Sequence, residues 1–357
     1  MNRRSFLLSS VAAGAILTQP TLAVPPPLPN ALPRWRGFNL LEKFVAGGSG
    51  PTPEGAYREQ DFDWIANWGF TFVRLPMSYR CWATGDPATW TNLNEASLKE
   101  VDQAVEFGKQ YGIHVNLNLH RIPGYCVNPP AEPLNLWTDE RALDAAVFHW
   151  AHLAQRYKGR PNAEVSFDLI NEPANVEAAD YIRVVKALVA GIRAVDPDRL
   201  IIADGLQYGT VPVPGLAGVV GGQSTRGYLP MSISHYQASW VKVDRWETPA
   251  WPMPWAGALW NRDKLRQANI EPWQALQRQG VGVHVGEWGC FNKTPHDVAL
   301  AWMKDNLTLW REAGWGWSLW NFRGSFGILD SDRRDVRYKP YKGHQLDAKM
   351  LRLLRKY

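Results

Sequence analysis

Two glutamates, Glu172 and Glu287, lie in contexts that suit acid–base and nucleophilic chemistry at a shared site. Glu172 is part of an Asn-Glu-Pro string and Glu287 of a Gly-Glu-Trp-Gly string, and the apolar, strand-like runs 165–170 and 281–285 precede them. A carboxylate just past the C-terminal end of a parallel strand lies on the catalytic face of an α/β barrel. Most enzymes that cleave a glycosidic bond use two carboxyl groups that face each other across it. The pair therefore predicts a glycoside hydrolase of the retaining type.

The segments that would position these glutamates alternate between strand-like and helical patterns. Eight short apolar runs are typical of buried strands, and the longer segments between them carry apolar residues at three- and four-residue steps, as amphipathic helices do. The predicted strands cover residues 36–40, 70–75, 114–119, 165–170, 200–203, 231–235, 281–285 and 316–320. The predicted helices include residues 98–111, 141–157, 178–195, 295–313 and 345–355.

This alternation favours a single-domain (β/α)8 TIM barrel of the α/β class over an open sheet. The alternation of strands and helices is least clear in segment 205–222, which is rich in Gly, Pro and Val. The helix of this segment is expected to be short or missing. The predicted organisation is a signal peptide over residues 1–23, an extended leader over residues 24–34 and a catalytic barrel over residues 35–357.

The first residues have the pattern of an export signal. Arg3 and Arg4 form a twin arginine, a largely apolar and uncharged stretch continues to Leu17, and Ala23 ends a plausible cleavage site. The stretch is too short for a membrane span, so the pattern indicates a twin-arginine-type signal peptide. We expect delivery to the periplasm or the exterior, with no stable membrane insertion once the signal is removed.

The composition limits the classes of partner. The formal net charge is +5, and the basic residues are scattered apart from a late group over 333–342, which is typical of a solvated edge rather than a nucleic-acid surface. Cys81, Cys126 and Cys290 form neither a disulfide framework nor a zinc pattern, although one disulfide among them is left open. No metal or cofactor is expected. The 19 tryptophans suit a carbohydrate partner, because sugar rings stack on exposed indoles.

The chain resembles glycoside hydrolase family 5, the cellulase family of a barrel clan whose catalytic glutamates end strands four and seven. The resemblance covers nearly the whole chain after the leader. It rests on Arg36-Gly37-Phe38-Asn39, Val73-Arg74-Leu75-Pro76, Asn118-Leu119-His120, Leu169-Ile170-Asn171-Glu172-Pro173, Val285-Gly286-Glu287-Trp288-Gly289 and Gly316-Trp317-Ser318-Leu319-Trp320-Asn321.

The resemblance implies a role for each matched position around the two carboxylates. Glu172 would be the general acid/base and Glu287 the nucleophile, and their surroundings must differ because one needs a raised pKa and the other must stay ionised. Arg74 would keep the nucleophile charged through a charge-assisted hydrogen bond. Asn39, in the first matched string, is placed among the supporting residues.

Three further positions would bind the sugar that is cleaved. Asn171 would hydrogen-bond its 2-hydroxyl, a contact that strengthens in the transition state. His120 would bind a hydroxyl in the same subsite, and Trp320 would be the platform beneath the ring. The roles of all three residues are implied by the family resemblance.

One string departs from the family pattern. Family 5 usually shows His-x-Tyr after strand six, with the Tyr hydroxyl on the nucleophile, whereas here His235 and Tyr236 are adjacent. Tyr236 could keep the family position, with Ser234 in place of the His. Alternatively His235 keeps it, and Gln237 stands where the Tyr is expected. We favour Tyr236 as the partner of the nucleophile.

Substrate choice is expected to depend on the loops. Glu42, after the first strand, is expected either to accept hydrogen bonds from sugar hydroxyls, as in the fungal exo-β-1,3-glucanase branch, or to pair with Lys43 or another neighbour on the rim. The Trp-rich segment 240–260 would either wall the cleft or pack on the barrel. We favour an endo-β-1,4-glucanase acting on β-glucan. The alternatives are an exo-β-1,3-glucanase, a β-glucosidase or a mannanase of the same family, and a non-catalytic carbohydrate-binding barrel.

Overall fold

The computed structural model describes residues 29–47 and 54–357, so the signal peptide predicted over residues 1–23 and residues 24–28 of the predicted leader lie outside the described residues. The described chain contains a barrel of eight parallel strands. Strands β1 to β8 span Arg36–Asn39, Phe72–Ser78, His114–Ile122, Val165–Asp168, Ile201–Asp204, Gly222–Gly227, Gly282–Trp288 and Gly316–Leu319.

The barrel closes because β1 pairs with both β2 and β8, while every other strand pairs with its sequence neighbours. All eight pairings are parallel, so the C-terminal ends of the strands meet at one mouth. The strands are buried along almost their whole length, which explains why most of them read as continuous apolar runs. The predicted (β/α)8 barrel is confirmed.

Helices on the outer face connect the strands and follow the predicted order. Asn94 caps helix α2, Glu95–Tyr111, by accepting a hydrogen bond from the backbone N–H of Ala96 at 3.0 Å, and Gly112 ends the helix in a left-handed conformation with φ 65°. Helices α1 to α7 span Glu59–Asn67, Glu95–Tyr111, Glu140–Tyr157, Ala178–Val195, Glu271–Gln277, His296–Ala313 and Ala348–Lys356.

The sixth strand is not where its predicted range, 231–235, placed it. Strand β6 is Gly222–Gly227, and Met231–Ser234 is one short helical turn beyond it. The apolar-run criterion missed β6 because its residues are mostly polar. Their burial is compensated by hydrogen bonds: the Gln223 side chain donates to the carbonyl of Val213 at 2.8 Å and accepts from its N–H at 3.0 Å.

The segment between β5 and β6 is irregular, as its composition predicted. It contains only a kinked turn, Leu206–Gly209, and a 3-10 turn, Pro214–Leu216, instead of a full connecting helix. Gln207 and Tyr208 of this segment line a cavity that Glu172 also lines.

The three cysteines are unpaired in the described structure. Cys81 and Cys290 are buried and Cys126 is partly buried, so each serves as a small apolar side chain. Among the helices that the structure describes, none is long and apolar enough to cross a membrane.

Candidate active site

Glu287 lies near the end of β7, in a pocket of hydrogen-bond donors. The Arg74 guanidinium donates through Nη1 to Oε1 at 2.6 Å, and the Tyr228 hydroxyl donates to Oε2 at 3.3 Å. A second guanidinium nitrogen, Nη2 of Arg226, is 3.4 Å from Oε1. The Glu287 side chain is only 5% exposed, so these charges act with little screening. The arrangement orients the Glu287 carboxylate through three neighbouring side chains, as a positioned nucleophile requires.

Arg74, on β2, is fixed by side chains from three other strands or their ends. Its Nε donates to Asp168 at 2.8 Å, and its Nη2 donates to the side-chain oxygen of Asn171 at 2.8 Å. Nη1 also donates to the Asn39 side chain at 3.1 Å, and Asn39 in turn donates to the carbonyl of Gly286 at 3.0 Å. Asn39 therefore helps to hold the Arg74 guanidinium in position.

Glu172 follows β4 and occupies a different environment. Its backbone has φ 47°, its N–H donates to Asp204 Oδ2 at 2.8 Å, and its carbonyl accepts from the Tyr125 hydroxyl at 2.6 Å. The side-chain atom Oε1 accepts from Arg226 Nε at 3.0 Å. Burial, followed by the charge of Glu287, raises the pKa of Glu172 to about 8 although Arg226 opposes the shift. Glu172 is therefore suited to carry a proton near neutral pH.

Arg226, near the end of β6, links the two glutamates. Besides its contacts with Glu172 and Glu287, Nη2 donates to the side-chain oxygen of Asn171 at 2.9 Å. Asp204, at the end of β5, forms a buried ion pair with Arg226, in which Nη1 donates to Oδ1 at 3.1 Å. Sequence reasoning missed this ion pair, because each member lies singly at the end of a short strand.

Three polar or aromatic surfaces converge beside the glutamates on the β3 and β8 side. Among the described residues, neither Asn171 Nδ2 nor His120 Nδ1 has a hydrogen-bond partner, although both are buried. Burial lowers the pKa of His120 well below its ordinary value, so its ring is neutral. Trp320 is half-buried, and its ring stacks near His120 with centroids 5.9 Å apart and planes at 30°. These free polar atoms and the indole face suit a pyranose ring.

This chain is similar to known glycoside hydrolases over most of its length. Residues 35–325 match the family model described as cellulase (glycosyl hydrolase family 5). The chain belongs to this family. It is therefore a glycoside hydrolase, and its barrel is the fold that the family resemblance implied.

Related proteins and solved structures agree with this assignment. Endoglucanase C from Acetivibrio thermocellus is 23% identical over 304 residues, which cover 78% of this chain and 88% of that protein. A crystal structure of a glycoside hydrolase is 40% identical, covers 90% of this chain and 99% of its own, and superposes with a TM-score of 0.84. Cel5A from Thermotoga maritima, crystallised with cellobiose, covers 90% and 96% with a TM-score of 0.71 at 21% identity.

The family 5 tyrosine on the nucleophile is Tyr228, so the expectation for Tyr236 is wrong. The string Arg226-Gly227-Tyr228 has the spacing of the family's His-x-Tyr and directly follows the observed sixth strand. In this chain an arginine thus stands in the place of the histidine. The error has the same cause as the misplaced strand: a sixth strand over residues 231–235 puts its C-terminal end next to Tyr236, whereas the observed strand ends next to Tyr228. Spacing alone would have found Tyr228 had β6 been placed correctly.

The residues first expected at that position lie in the next loop. Tyr236 accepts a hydrogen bond from Gln237 Nε2 at 3.0 Å, and its ring lies edge-on to Trp246. His235 is buried and packs edge-on against Tyr228, with centroids 4.9 Å apart, while its Nδ1 is 2.8 Å from Ser234 Oγ. His235 therefore supports the tyrosine rather than replacing it.

Glu42 has charged neighbours outside this cluster. They are Asp61, Arg58 and Arg323, and burial, followed by the charge of Asp61, raises the pKa of Glu42 to about 7. Lys43 pairs with Glu54 at 3.5 Å and with Glu100, so the expected pair between Glu42 and Lys43 is absent from the described structure. These contacts do not favour either expectation for Glu42.

The tryptophans of segment 240–260 divide between the two expected roles. Trp240 is 58% exposed and lies edge-on to Phe291 at 5.0 Å, near the mouth. Trp251 instead donates to Asp305 on α6 at 2.9 Å, and Trp255 packs edge-on against the buried Trp260. Only Trp240, among these, presents a largely free aromatic face.

A cavity of about 730 Å³ opens beside Glu172 on the β4 to β6 side of the mouth. Its wall includes Arg226, Tyr228 and His235, and it continues over the loop that follows β5. Neither His120 nor Trp320 lines it. His120 instead lines a separate cavity of about 300 Å³, together with Phe44 and Asn128.

Proposed function

We propose that this family 5 enzyme is a retaining β-glucan hydrolase that acts as an endo-β-1,4-glucanase. The proposal is carried by one observation: two carboxyl groups share the Arg226 guanidinium but have different surroundings. Glu287 has two further donors, whereas Glu172 has a raised pKa. The endoglucanase relative supports the substrate class.

In the first step Glu287 attacks the anomeric carbon as the bond to the leaving oxygen breaks. Glu172 gives its proton to that oxygen, so the leaving chain departs as a neutral alcohol. The sugar remains covalently attached to Glu287. Asn171 Nδ2, which has no hydrogen-bond partner in the described structure, is available to donate to the sugar's 2-hydroxyl.

In the second step water replaces the leaving chain. Glu172, now ionised, takes a proton from the water as it attacks the anomeric carbon and releases Glu287. Two inversions give net retention. During both steps Arg226 contacts the group whose charge changes, and its buried pair with Asp204 keeps the guanidinium in place. The site can therefore balance a negative charge that moves between the two glutamates.

A substrate panel tests this function. Purified enzyme is incubated with carboxymethylcellulose, laminarin, mannan and aryl β-glucosides, and both viscosity and reducing ends are followed. We expect carboxymethylcellulose to be cleaved with a rapid loss of viscosity, as internal cleavage produces. Preference for laminarin, mannan or short aryl glucosides would replace the endo-β-1,4 assignment with one of its family alternatives. Failure to cleave any of them would support a non-catalytic carbohydrate-binding barrel.

We also propose that the chain is exported through the twin-arginine route. The support is the sequence of residues 1–23, with its Arg3-Arg4 pair and apolar stretch. Expression in a bacterium with and without a functional twin-arginine translocase, followed by fractionation, tests this. Periplasmic enzyme that begins near residue 24 is expected only with the translocase, and equal export without it would refute the route.

A further inference from the structure

His120, near the end of β3, has one ring nitrogen with a partner and one without. Its Nε2 lies 3.0 Å from the amide nitrogen Nδ2 of Asn128, in the loop that follows β3. Its Nδ1 is buried and has no hydrogen-bond partner among the described residues. The partner of one ring nitrogen determines which of the two carries the proton, so Asn128 bears directly on the chemistry of His120.

The imidazole of His120 carries a single proton because it is neutral. Burial, followed by the charge of Arg74, lowers the pKa of His120 well below its ordinary value, and the charges of Arg226 and Arg121 act in the same direction. A neutral imidazole has one nitrogen that donates and one that accepts. Since the amide nitrogen of Asn128 can only donate, Nε2 is the acceptor and the proton is on Nδ1.

Two aromatic rings fix the plane of the imidazole but not its proton. Phe44 lies edge-on to His120 with centroids 4.5 Å apart, and Trp320 stacks near it with centroids 5.9 Å apart. Such packing restricts rotation of the ring, yet it does not distinguish the two tautomers, because they have the same shape. The hydrogen bond from Asn128 supplies that distinction.

The loop that contains Asn128 is anchored to the residue next to His120. Arg121 Nη2 donates to the carbonyl of Asn128 at 2.9 Å, and Nη1 donates to the carbonyl of Pro130 at 2.9 Å. Nη1 also donates to Glu132 at 2.6 Å, and the side chain of this glutamate is buried. Strand β3 therefore holds the loop through Arg121, and the loop in turn holds His120 through Asn128.

Asn171 presents a second buried donor beside the glutamates. Its Oδ1 accepts from Arg74 Nη2 at 2.8 Å and from Arg226 Nη2 at 2.9 Å, so the amide cannot be reversed without placing its N–H groups against two guanidinium donors. Nδ2 of Asn171 and Nδ1–H of His120 are thus both buried donors that lack an acceptor in the described structure. Unpaired buried donors cost free energy, and hydroxyl oxygens of a bound sugar can accept from them.

We propose that Asn128 is a positioning residue that fixes His120 as the Nδ1–H tautomer and so makes it a hydrogen-bond donor to the cleaved sugar. Without Asn128, Nε2 faces the cavity of about 300 Å³, where water accepts a hydrogen bond as readily as it donates one, and the ring proton is free to move to Nε2. Nδ1 would then be an acceptor. The effect on activity rests on the proposed β-glucanase function, whereas the position of the ring proton does not.

Nitrogen NMR of enzyme with isotopically labelled histidine rings tests the position of the proton. The His120 signals are identified by their loss in His120→Gln. We expect a protonated Nδ1 and an unprotonated Nε2 in the wild type, and a substantial population with the proton on Nε2 in Asn128→Ala. Asn128 is exposed, so this variant should fold, and thermal unfolding verifies it. A wild-type ring with its proton on Nε2, or the same tautomer in Asn128→Ala as in the wild type, would overturn the proposal.

A double-mutant cycle tests whether Asn128 acts through His120. Initial rates on an aryl β-cellobioside give kcat/KM for the wild type, Asn128→Ala, His120→Ala and the double variant. Asn128→Ala should lower kcat/KM about tenfold, as loss of one hydrogen bond to the sugar predicts, and should have no further effect once His120 is absent. Equal losses from Asn128→Ala in both backgrounds would show a merely structural role and contradict the proposal.

Asn135→Ala is the matched control in the same loop. The Asn135 side chain accepts a hydrogen bond from the backbone N–H of Trp137 at 2.8 Å. We expect this variant to keep the wild-type tautomer of His120 and nearly the wild-type kcat/KM. A loss as large as that in Asn128→Ala would show that damage to the loop explains both, which would overturn the proposal. If the wild type cleaves no glycoside, the proposed function fails, while the NMR measurement still decides the position of the proton.

Discussion

The surroundings of Glu287 and Glu172 differ in the number of donors that reach each carboxylate. Glu287 receives hydrogen bonds from Arg74 and Tyr228 and has Arg226 nearby, and its side chain is 5% exposed. Glu172 receives one side-chain donor, from Arg226, and its side chain is 16% exposed. Two residues of one chemical type thus have different electrostatic surroundings.

This difference assigns the roles more firmly than the motifs do. A carboxylate with several cationic or hydroxyl donors is stabilised in its charged form, which suits attack on carbon. A carboxyl group that burial and a neighbouring carboxylate keep protonated suits proton donation. Arg226 is common to both, so substitutions on either side of it should reveal which glutamate depends on which donor.

The largest effect should come from Glu287→Ala. Removal of the nucleophile should lower kcat by at least about 10⁴-fold on every glycoside, because no other described group occupies its place. Initial rates on an aryl β-cellobioside and on cellotetraose measure this, and thermal unfolding verifies that the variant is folded. Turnover close to wild type would end the assignment of Glu287 as nucleophile.

Glu172→Ala should give a loss that depends on the leaving group. Cellotetraose needs a protonated leaving oxygen, so its kcat/KM should fall by about 10²- to 10⁴-fold, the usual contribution of a general acid. A dinitrophenyl β-cellobioside needs no proton in the first step, so its kcat/KM should fall much less. Added azide should restore turnover by replacing water in the second step. Equal losses on both substrates would contradict an acid/base role.

Arg226→Gln should shift the alkaline limit of activity. Glu172 must be protonated to act, so kcat/KM of the wild type should fall as pH rises through about 8. The Arg226 charge lowers the pKa of Glu172 towards its ordinary value, so removing that charge should raise the pKa and move the fall to higher pH. The profile of kcat/KM from about pH 5 to about pH 10 measures this shift.

The same variant leaves Asp204 as a buried carboxylate without its arginine, and this should cost about 3–5 kcal/mol of stability. The double variant Arg226→Gln/Asp204→Asn removes both charges and should recover part of that loss. An alkaline limit at the wild-type pH in both variants would show that Arg226 does not control Glu172.

Tyr228→Phe should have the smallest effect of this series. It removes one hydroxyl donor from Glu287 and leaves Arg74 in place, so a loss of about tenfold in kcat/KM is expected. Tyr236→Phe is the matched control, because that hydroxyl bonds to Gln237 in the next loop. A larger loss in Tyr236→Phe than in Tyr228→Phe would restore the family position to residue 236.

The strands that position the two glutamates were predictable from sequence. β4 and β7 are fully buried apolar runs next to distinctive strings, which is the pattern of a central parallel strand. Predicted and observed helices also agree closely in α2, α3, α4 and α6. In these strands and helices the local sequence pattern and the tertiary environment favour the same types of residue.

β6 was not predictable in this way. Its polar residues are stabilised by partners distant in the sequence: Gln223 by the Val213 backbone, and Arg226 by Asp204 and Glu172. Such compensation is visible only once the strands are assembled. The left-handed turn over Gln207 and Tyr208 was hidden for the same reason, because contacts from β6 hold it rather than its own residue types.

The most direct test of the central claim is covalent labelling of the nucleophile. A 2-deoxy-2-fluoro-β-cellobioside with a dinitrophenyl leaving group forms the glycosyl-enzyme intermediate and slows its hydrolysis, so the adduct can be digested and sequenced by mass spectrometry. The label should be on Glu287, and Glu172→Ala should still accept it because this leaving group needs no proton. A label on Glu172, or no adduct in an active enzyme, would contradict the account.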